Sequence, residues 1–277
     1  MGLRINTNMA AMASSRALAH TSENQAKSYQ RLSSGQRITE AGDDAAGLSI
    51  SENIRAQIRS MGQAQRNAND GISFAQVAEG GLTETGNLLI RLRELAIQAA
   101  SDTVGDKERG FINMEAQSLI KEVDRIANVT TFNGTPLLNG EADKSDLEFQ
   151  VGIRSDESDR ILFNTQEYNV RAGELGVDGL NYESIGDARD ALEKIDEGMG
   201  KVFSARANLG AIQNKLHATV NNLSIGQENL AHARSRIADT DLATETTALV
   251  RENILQSAGI SVLAQANSAP MQALKLL

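Results

Sequence analysis

The sequence contains no cysteine and no tryptophan, and only 2 of its 277 residues are proline. Without cysteine there is no disulfide framework, no thiolate metal site and no thiol nucleophile. Scarce proline removes the commonest helix breaker. Aromatic residues make up 3 % of the chain. Large rings dominate most compact cores, so burial here must come from Leu, Ile, Val, Met and Ala, which favours long helices packed side by side. The net charge is −9, with no basic stripe, so the electrostatic footprint of a nucleic-acid binder is missing. No apolar run approaches the ~18 residues of a membrane span, and residues 1–20 hold no signal-peptide core. Asn6 stands where a myristoylation pattern needs Ser or Thr. Export, where it happens, is expected to proceed without a cleaved secretory signal, and no membrane contact is expected.

What is present is heptad spacing. Ile54, Ile58, Met61, Ala68, Ile72, Ala75, Leu82 and Leu89 fall in one row, and Leu88, Leu92, Leu95 and Ala99 repeat it. Ile112, Ala116, Leu119, Val123 and Ile126 step 4-3-4-3, and Ile185, Ala188, Leu192, Ile195, Met199 and Val202 step 3-4-3-4-3. Arg206 breaks the phase before Leu209, Ile212, Leu216, Leu223, Leu230, Ala233 and Ile237 resume it. Such rows put an apolar seam along a helix. A helix from Asp44 to about Ala100 would be roughly 85 Å long, with Gly80-Gly81 and Gly86 as candidate interruptions. "SDTVGDKERG" (Ser101–Gly110) reads as a turn, with Ser101 and Asp102 as candidate caps.

Between the helical arms the period changes. "TTFNGTPLLNG" (Thr130–Gly140) carries two Asn-Gly turn signals, Leu147 to Ile153 alternate apolar and polar, and Ile161-Leu162-Phe163 supply a returning strand. Residues 129–184 are expected to form a small β-rich region. At the ends, Ile254, Leu255, Ala258, Val262 and Ala266 share one face of a helical pattern that needs a partner to bury it.

The stretch "RLSSGQRITEAGDDAAGLSI" (Arg31–Ile50) puts Gly35, Gly42, Gly47 and the pair Asp43-Asp44 between two helical patterns. A P-loop needs Lys followed by Ser or Thr after its last glycine, and Gly47 is followed by Leu48-Ser49. The spacing does not fit a dinucleotide fingerprint or a calcium loop. The segment reads as a joint whose aspartates cap and charge a helix start. His20, His217 and His232 are far apart, with no metal-ligand pairing and no nucleophile elbow. No catalytic residue, cofactor or metal site is expected.

The motifs then identify a family. "LRINTN" at Leu3–Asn8, "RLSSGQRI…AGDDAAGLSI", "RNANDGISFAQVAEGGL", "LRELAIQAA" and "FNG" resemble the N-terminal half of bacterial flagellin. "SRIADTDLATET" and "ILQSAGISVLAQAN" resemble its C-terminal half. The resemblance covers about 1–140 and 180–277. It implies a mainly α fold of long antiparallel helices in a coiled-coil-like bundle with a small β-hairpin region. The implied map is 1–43 for the N-terminal D0 helix and spoke, and 44–128 for the N-terminal D1 helices. It continues with 129–184 for the small β-rich region, 185–238 for the C-terminal D1 helix, and 239–277 for the C-terminal D0 helix. By the same resemblance, Gly35 and Gly42 bend the spoke, Asp43 and Asp44 start the long helix, and the Ile254–Ala266 stripe packs in a filament core. The implied partners are further copies in a helical homopolymer, an export chaperone at the C-terminal segment, and hook-associated junction and cap proteins. The flagellin-sensing toll-like receptor is another, through Arg91, Leu95 and Glu115, although Ile90 departs from the well-recognised pattern. Export through the flagellar type III channel would place the product in an extracellular or periplasmic filament. Two other readings stay open on the residues: a hook–filament junction protein of the same superfamily, and a coiled-coil adapter.

Overall fold

The computed structural model describes residues 7–141 and 146–274, so the head of the "LRINTN" motif and the last three residues lie outside the described residues. The contacts divide the chain into two units, one of residues 1–58 with 228–277 and one of residues 59–227. No helix of the described residues is long and apolar enough to cross a membrane.

In the first unit, α1 (Met9–Ser34) pairs antiparallel with α6 (Leu242–Leu274). Asn8 caps α1 by accepting the Ala11 N–H at 3.0 Å, and its side-chain amide donates to the Ala266 carbonyl at 2.8 Å. The covered side of α1 carries Ala11, Ser14, Leu18, Thr21, Gln25, Ser28 and Leu32. That of α6 carries Ala248, Glu252, Gln256, Gly259, Leu263 and Ala266. Both rows step by three and four, the spacing of a two-helix seam, but most of their residues are small or polar. Leu18 packs over Gly259, where a Cβ would lie in ordinary contact with Leu18 Cδ1 at 3.4 Å. α6 begins at Asp241, whose carboxylate accepts from the Ala243 N–H and the Thr244 hydroxyl, both at 2.9 Å.

The second unit contains the body of α2 (Ala45–Ala99), α3 (Asp106–Val129) and most of α5 (Ile185–Ala238). α2 and α5 run antiparallel, as the Arg93–Asp196 pair at 2.7 Å and the Gln213–Glu79 bond at 2.9 Å show. Leu82, Leu89, Leu92 and Leu95 of α2 pack with Ile112, Ala116 and Val123 of α3 and with Ile195, Val202 and Leu209 of α5. The α3 seam differs from the expected 4-3-4-3 row. Ile120 and Ala127 are buried where Leu119 and Ile126 are half-covered. A second neighbour widens the buried face: Gln117 donates to the Leu180 carbonyl, and Asp124 accepts from the Ala172 N–H at 2.8 Å.

α2 is not interrupted at its glycines. A Cβ at Gly81 would meet Leu138 Cδ1 at 2.6 Å, whereas Gly80 has nothing within 4 Å and Gly86 only Val202 and Phe203, at 3.8 and 3.9 Å. Gly81 thus admits the segment that follows the first hairpin, and the helix runs through all three glycines. The α2–α3 turn also differs from expectation, since neither Ser101 nor Asp102 caps α3. Gly105 occupies that position, with Asp106 and Glu108 in the first turn. The turn is held from the other side. Buried Arg109 donates to the Ala99 carbonyl at 3.0 Å, the Ser101 carbonyl at 3.1 Å and the Asp106 carboxylate at 2.8 Å, filling acceptors that a helix end leaves open.

The small β region consists of two antiparallel hairpins. β1 (Thr131–Phe132) and β2 (Thr135–Pro136) are joined by Asn133 and Gly134, with φ of 49° and 80°, the left-handed pair that a two-residue hairpin turn needs. β3 (Asp146–Gln150) pairs with β4 (Arg160–Asn164) in the register Leu147 opposite Phe163 and Phe149 opposite Ile161. The alternation predicts strand to Ile153, but the ladder ends at Gln150. Val151 and Gly152 both donate to the single Asp159 carbonyl, at 2.9 and 3.0 Å, a two-against-one arrangement that turns the strand out. The scarce aromatics gather here. Phe74 meets Phe132, Phe149 and Phe163 edge-on at 5.7, 5.2 and 4.7 Å, and Phe163 stacks on Tyr168 at 4.4 Å. A short helix, α4 (Ala172–Leu175), closes the region.

Candidate interaction surfaces

Among the described residues, no group of three His, Cys, Asp or Glu side chains could hold a metal ion. His20 contacts Asn24 at 3.1 Å and His232 lies 3.7 Å from Glu228, each along its own helix. The residues singled out in the sequence form a joint and a set of surfaces instead.

At the joint, the two aspartates divide the work. Asp44 is the cap of α2, its carboxylate accepting the Gly47 N–H at 2.8 Å. Asp43 does not enter the helix. It accepts from the Thr39 N–H and hydroxyl, at 3.1 and 3.0 Å, and from the Glu40 N–H at 3.3 Å, with Arg31 at 3.6 Å. The Thr39 N–H, ahead of the other contacts, holds the Asp43 carboxyl below its ordinary range. So the expectation that both start the helix is corrected: Asp43 ties the turn before it.

The glycines divide as well. Gly35 has φ of 69° and ends α1, its N–H reaching the Arg31 carbonyl at 2.8 Å, a left-handed C-cap. Gly42 lies in the turn closed by the Asp43 N–H on the Glu40 carbonyl at 3.1 Å, without a left-handed conformation and with nothing close to its Cβ direction, so the turn does not demand glycine there. Gly47, by contrast, needs its missing side group: a Cβ there would lie 2.4 Å from Asp44 Oδ2 and 2.8 Å from Ile38 Cδ1.

Three residues of the joint carry no signal in the sequence. Ile38 is buried beneath the turn. Arg37 donates from its backbone to the Ala238 carbonyl at 2.7 Å, and from its guanidinium to the Ile237 carbonyl at 2.7 Å. A bridge between Gln36 and Asp239 completes the connection. The two connectors thus fasten one another, and Arg37 fills carbonyls at the end of α5. An isolated arginine in a polar run gives no pattern from which that contact could be read.

α6 presents the second surface. Its stripe does not form the seam with α1: Ile254 is 63 % exposed, and Leu255, Ala258 and Val262 are exposed too. Ala266 alone of the five is half-covered. Leu242, Val250 and Ile260 are exposed elsewhere around the helix. From Asn253 to Leu274 the sequence holds no charged residue. Uncharged helix surface that exposes several large apolar side chains is normally covered by a partner, and α1 covers only one side. Met9, Met12 and Tyr29 of α1 are exposed as well.

A third surface lies on α2 and α3. Arg91 donates to Glu115 at 2.8 and 3.1 Å and to Glu94 at 3.0 Å. All three residues are exposed at the surface, and Glu115 is the main cause of the raised Arg91 value. Ile90, Ile97, Phe111 and Met114 are exposed on the same two helices. Leu95 is 1 % exposed and belongs to the core. The expected contact trio is therefore split: Arg91 and Glu115 hold each other at the surface, and Leu95 faces inward.

Comparison with known proteins gives these surfaces a context. The family described as the bacterial flagellin N-terminal helical region matches residues 5–143, and the bacterial flagellin C-terminal helical region matches residues 192–277. The flagellar filament 31.3 kDa core protein of Treponema maltophilum is 41 % identical over 287 aligned residues, covering 99 % of both proteins. A flagellin of Bacillus subtilis (strain 168) is 39 % identical, covering 99 % of this sequence and all of its own length. The crystal structure of Bacillus cereus flagellin aligns with a TM-score of 0.51 at 30 % identity, covering 57 % of this sequence and 88 % of that one.

Proposed function

The chain belongs to the bacterial flagellin family, whose members are structural filament proteins rather than enzymes, and from that premise we propose how its own residues serve polymerisation. Copies of the protein pack around α6. The observation that carries this reading is the 22-residue run of α6 without a charge, along which Ile254, Leu255, Ile260 and Val262 are exposed while α1 covers the side of Gln256, Gly259, Leu263 and Ala266. Exposed apolar area of this extent marks a protein contact. The small, polar seam between α1 and α6 supports a pair that is weak alone and gains its burial from neighbours. On this proposal, residues of about 1–40 and 240–277 are ordered by assembly rather than before it. Such a protein is also suited to threading through the flagellar type III channel, and the absence of cysteine favours that passage.

The Ile90, Ile97, Phe111 and Met114 surface supplies a second contact between copies. An export chaperone on the C-terminal segment, junction and cap proteins at the filament ends, and an extracellular or periplasmic filament are proposed from the family alone. Recognition by the flagellin-sensing toll-like receptor is proposed to rest on Arg91 and Glu115.

Adding purified protein to sheared filament seeds tests the reading by electron microscopy. Elongation is expected. A junction protein would coat the seed ends without extending them, and a coiled-coil adapter would do neither.

A further inference from the structure

The sequence holds two Asn-Gly pairs, Asn133-Gly134 and Asn139-Gly140, six residues apart. We propose that Asn133 is a site of spontaneous deamidation, and that Asn139 is protected from the same reaction by its surroundings. In this chemistry hydroxide removes the backbone N–H proton of the following residue. That nitrogen then attacks the carbonyl carbon of the asparagine amide. A new C–N bond forms, the bond from that carbon to the amide nitrogen breaks, and ammonia leaves, giving a five-membered succinimide. Water opens the ring at either carbonyl to yield aspartate or isoaspartate. One water is consumed, one ammonia is released, and nothing is oxidised or reduced.

The reaction needs an unengaged asparagine amide, a free N–H on the next residue and room for the ring. Asn133 is exposed at the tip of the β1–β2 hairpin, and its amide makes no hydrogen bond to any described residue. Gly134 occupies the second turn position, outside the register of Phe132 with Thr135. A Cβ built on it would meet nothing within 4 Å, so the space beside the attacking nitrogen is open. The hairpin is two residue pairs long, a length with little independent stability, so the turn opens readily from its left-handed conformation to reach the ring geometry.

Asn139 differs in the engagement of its amide and in the room for a ring. It is buried, its amide oxygen accepts the Glu141 N–H at 2.9 Å, and its amide nitrogen donates to Asn128 at 3.4 Å. Gly140 is crowded, with the Asn169 amide 2.7 Å from where its Cβ would be, and its carbonyl accepts from Gln166 at 2.8 Å. Conversion at Asn133 adds a negative charge to the turn. The isoaspartate product also adds a methylene to the backbone next to Phe132, which packs against Phe74.

The test is to age the folded protein at physiological temperature and neutral pH and map its peptides by mass, with an isoaspartate-specific methyltransferase as second readout. The same protein unfolded in urea, and a peptide of residues 130–141, are aged alongside. In the folded protein Asn133 should convert several-fold faster than Asn139, and in urea the two rates should converge. Equal rates in the folded protein would overturn the proposal. So would an unmodified Asn133 over a period in which the peptide converts.

Discussion

Arg109 shows how much a single residue holds. It is buried, and it fills two backbone carbonyls at the end of α2 while reaching Asp106 in the first turn of α3. Truncation leaves the Ala99 and Ser101 carbonyls without that donor, at a cost of about 1–3 kcal/mol. Arg109→Ala should lower the stability of the second unit, read from its urea midpoint, by that amount. Arg109→Lys should recover only part, because an ammonium lacks the planar fork. An unchanged midpoint would show that water replaces the guanidinium. Asp43 makes a different prediction. Its carboxyl titrates below the ordinary range, with the Thr39 N–H as the first cause. A carboxylate depressed in the fold contributes stability above its unfolded value, roughly 3.9, and loses it as pH falls through the folded value. The stability gap between the natural protein and Asp43→Asn should therefore be present at neutral pH and close under acid. A gap that stays constant into acid would remove the charge from the explanation. Leu95 sets the limit of reading residues by resemblance. The motif groups it with Arg91 and Glu115, but its position in the Leu88–Ala99 heptad row assigns it to the core, where it lies.

Elements are legible where periodicity is long, and less so where contact with another element decides. The rows through α2, α3 and α5 indicate the helices, because an apolar seam repeated over many turns has few other uses. The glycines of α2 mislead, since sequence gives their helix cost but not the neighbour they admit. Gly81 under Leu138 is one such case. The α3 seam shifts because the segment around Ala172 and Leu180 packs on it, and nothing local to α3 announces that. For the β3–β4 hairpin, alternation indicates both strands. The bulge at Val151 and Gly152 depends on the distant Asp159 carbonyl and is not visible in the pattern. The hairpin's attachment rests on Phe163, which touches Phe74 and stacks on Tyr168. Phe163→Ala should destabilise the second unit by about 3–5 kcal/mol. Leu162→Ala, one residue away on the exposed side, should cost far less. Hydrogen exchange across residues 146–164 would report the loss, and similar protection in both variants would mean that the hairpin does not depend on the aromatic cluster.

At the scale of the whole molecule, the question is why a protein with so ordinary a core leaves so much apolar surface uncovered at its ends. In the second unit most Leu, Ile and Val face inward, with Ile90 and Ile97 among the exceptions, and most charge faces out. In α6 the rule fails: Ile254, Leu255, Ile260 and Val262 are exposed, and no charge appears after Glu252 in the described helix. Fully burying one such residue yields about 1.5–3 kcal/mol, so a subunit gains several such increments only when neighbours arrive. A charge placed there would cost little in the free subunit and much in the filament, where it must be desolvated without a partner. Ile254→Glu should leave the folding of the second unit unchanged, by circular dichroism and urea midpoint, and should abolish elongation of sheared seeds. Ile254→Leu should still elongate, which separates loss of apolar burial from loss of shape. Limited proteolysis carries the same argument to the ends. The free subunit should be trimmed to a core of about 45–235, and the assembled one should resist. If Ile254→Glu elongates seeds as well as the natural protein does, α6 is not the surface on which copies pack, and the uncovered stripe belongs to another partner.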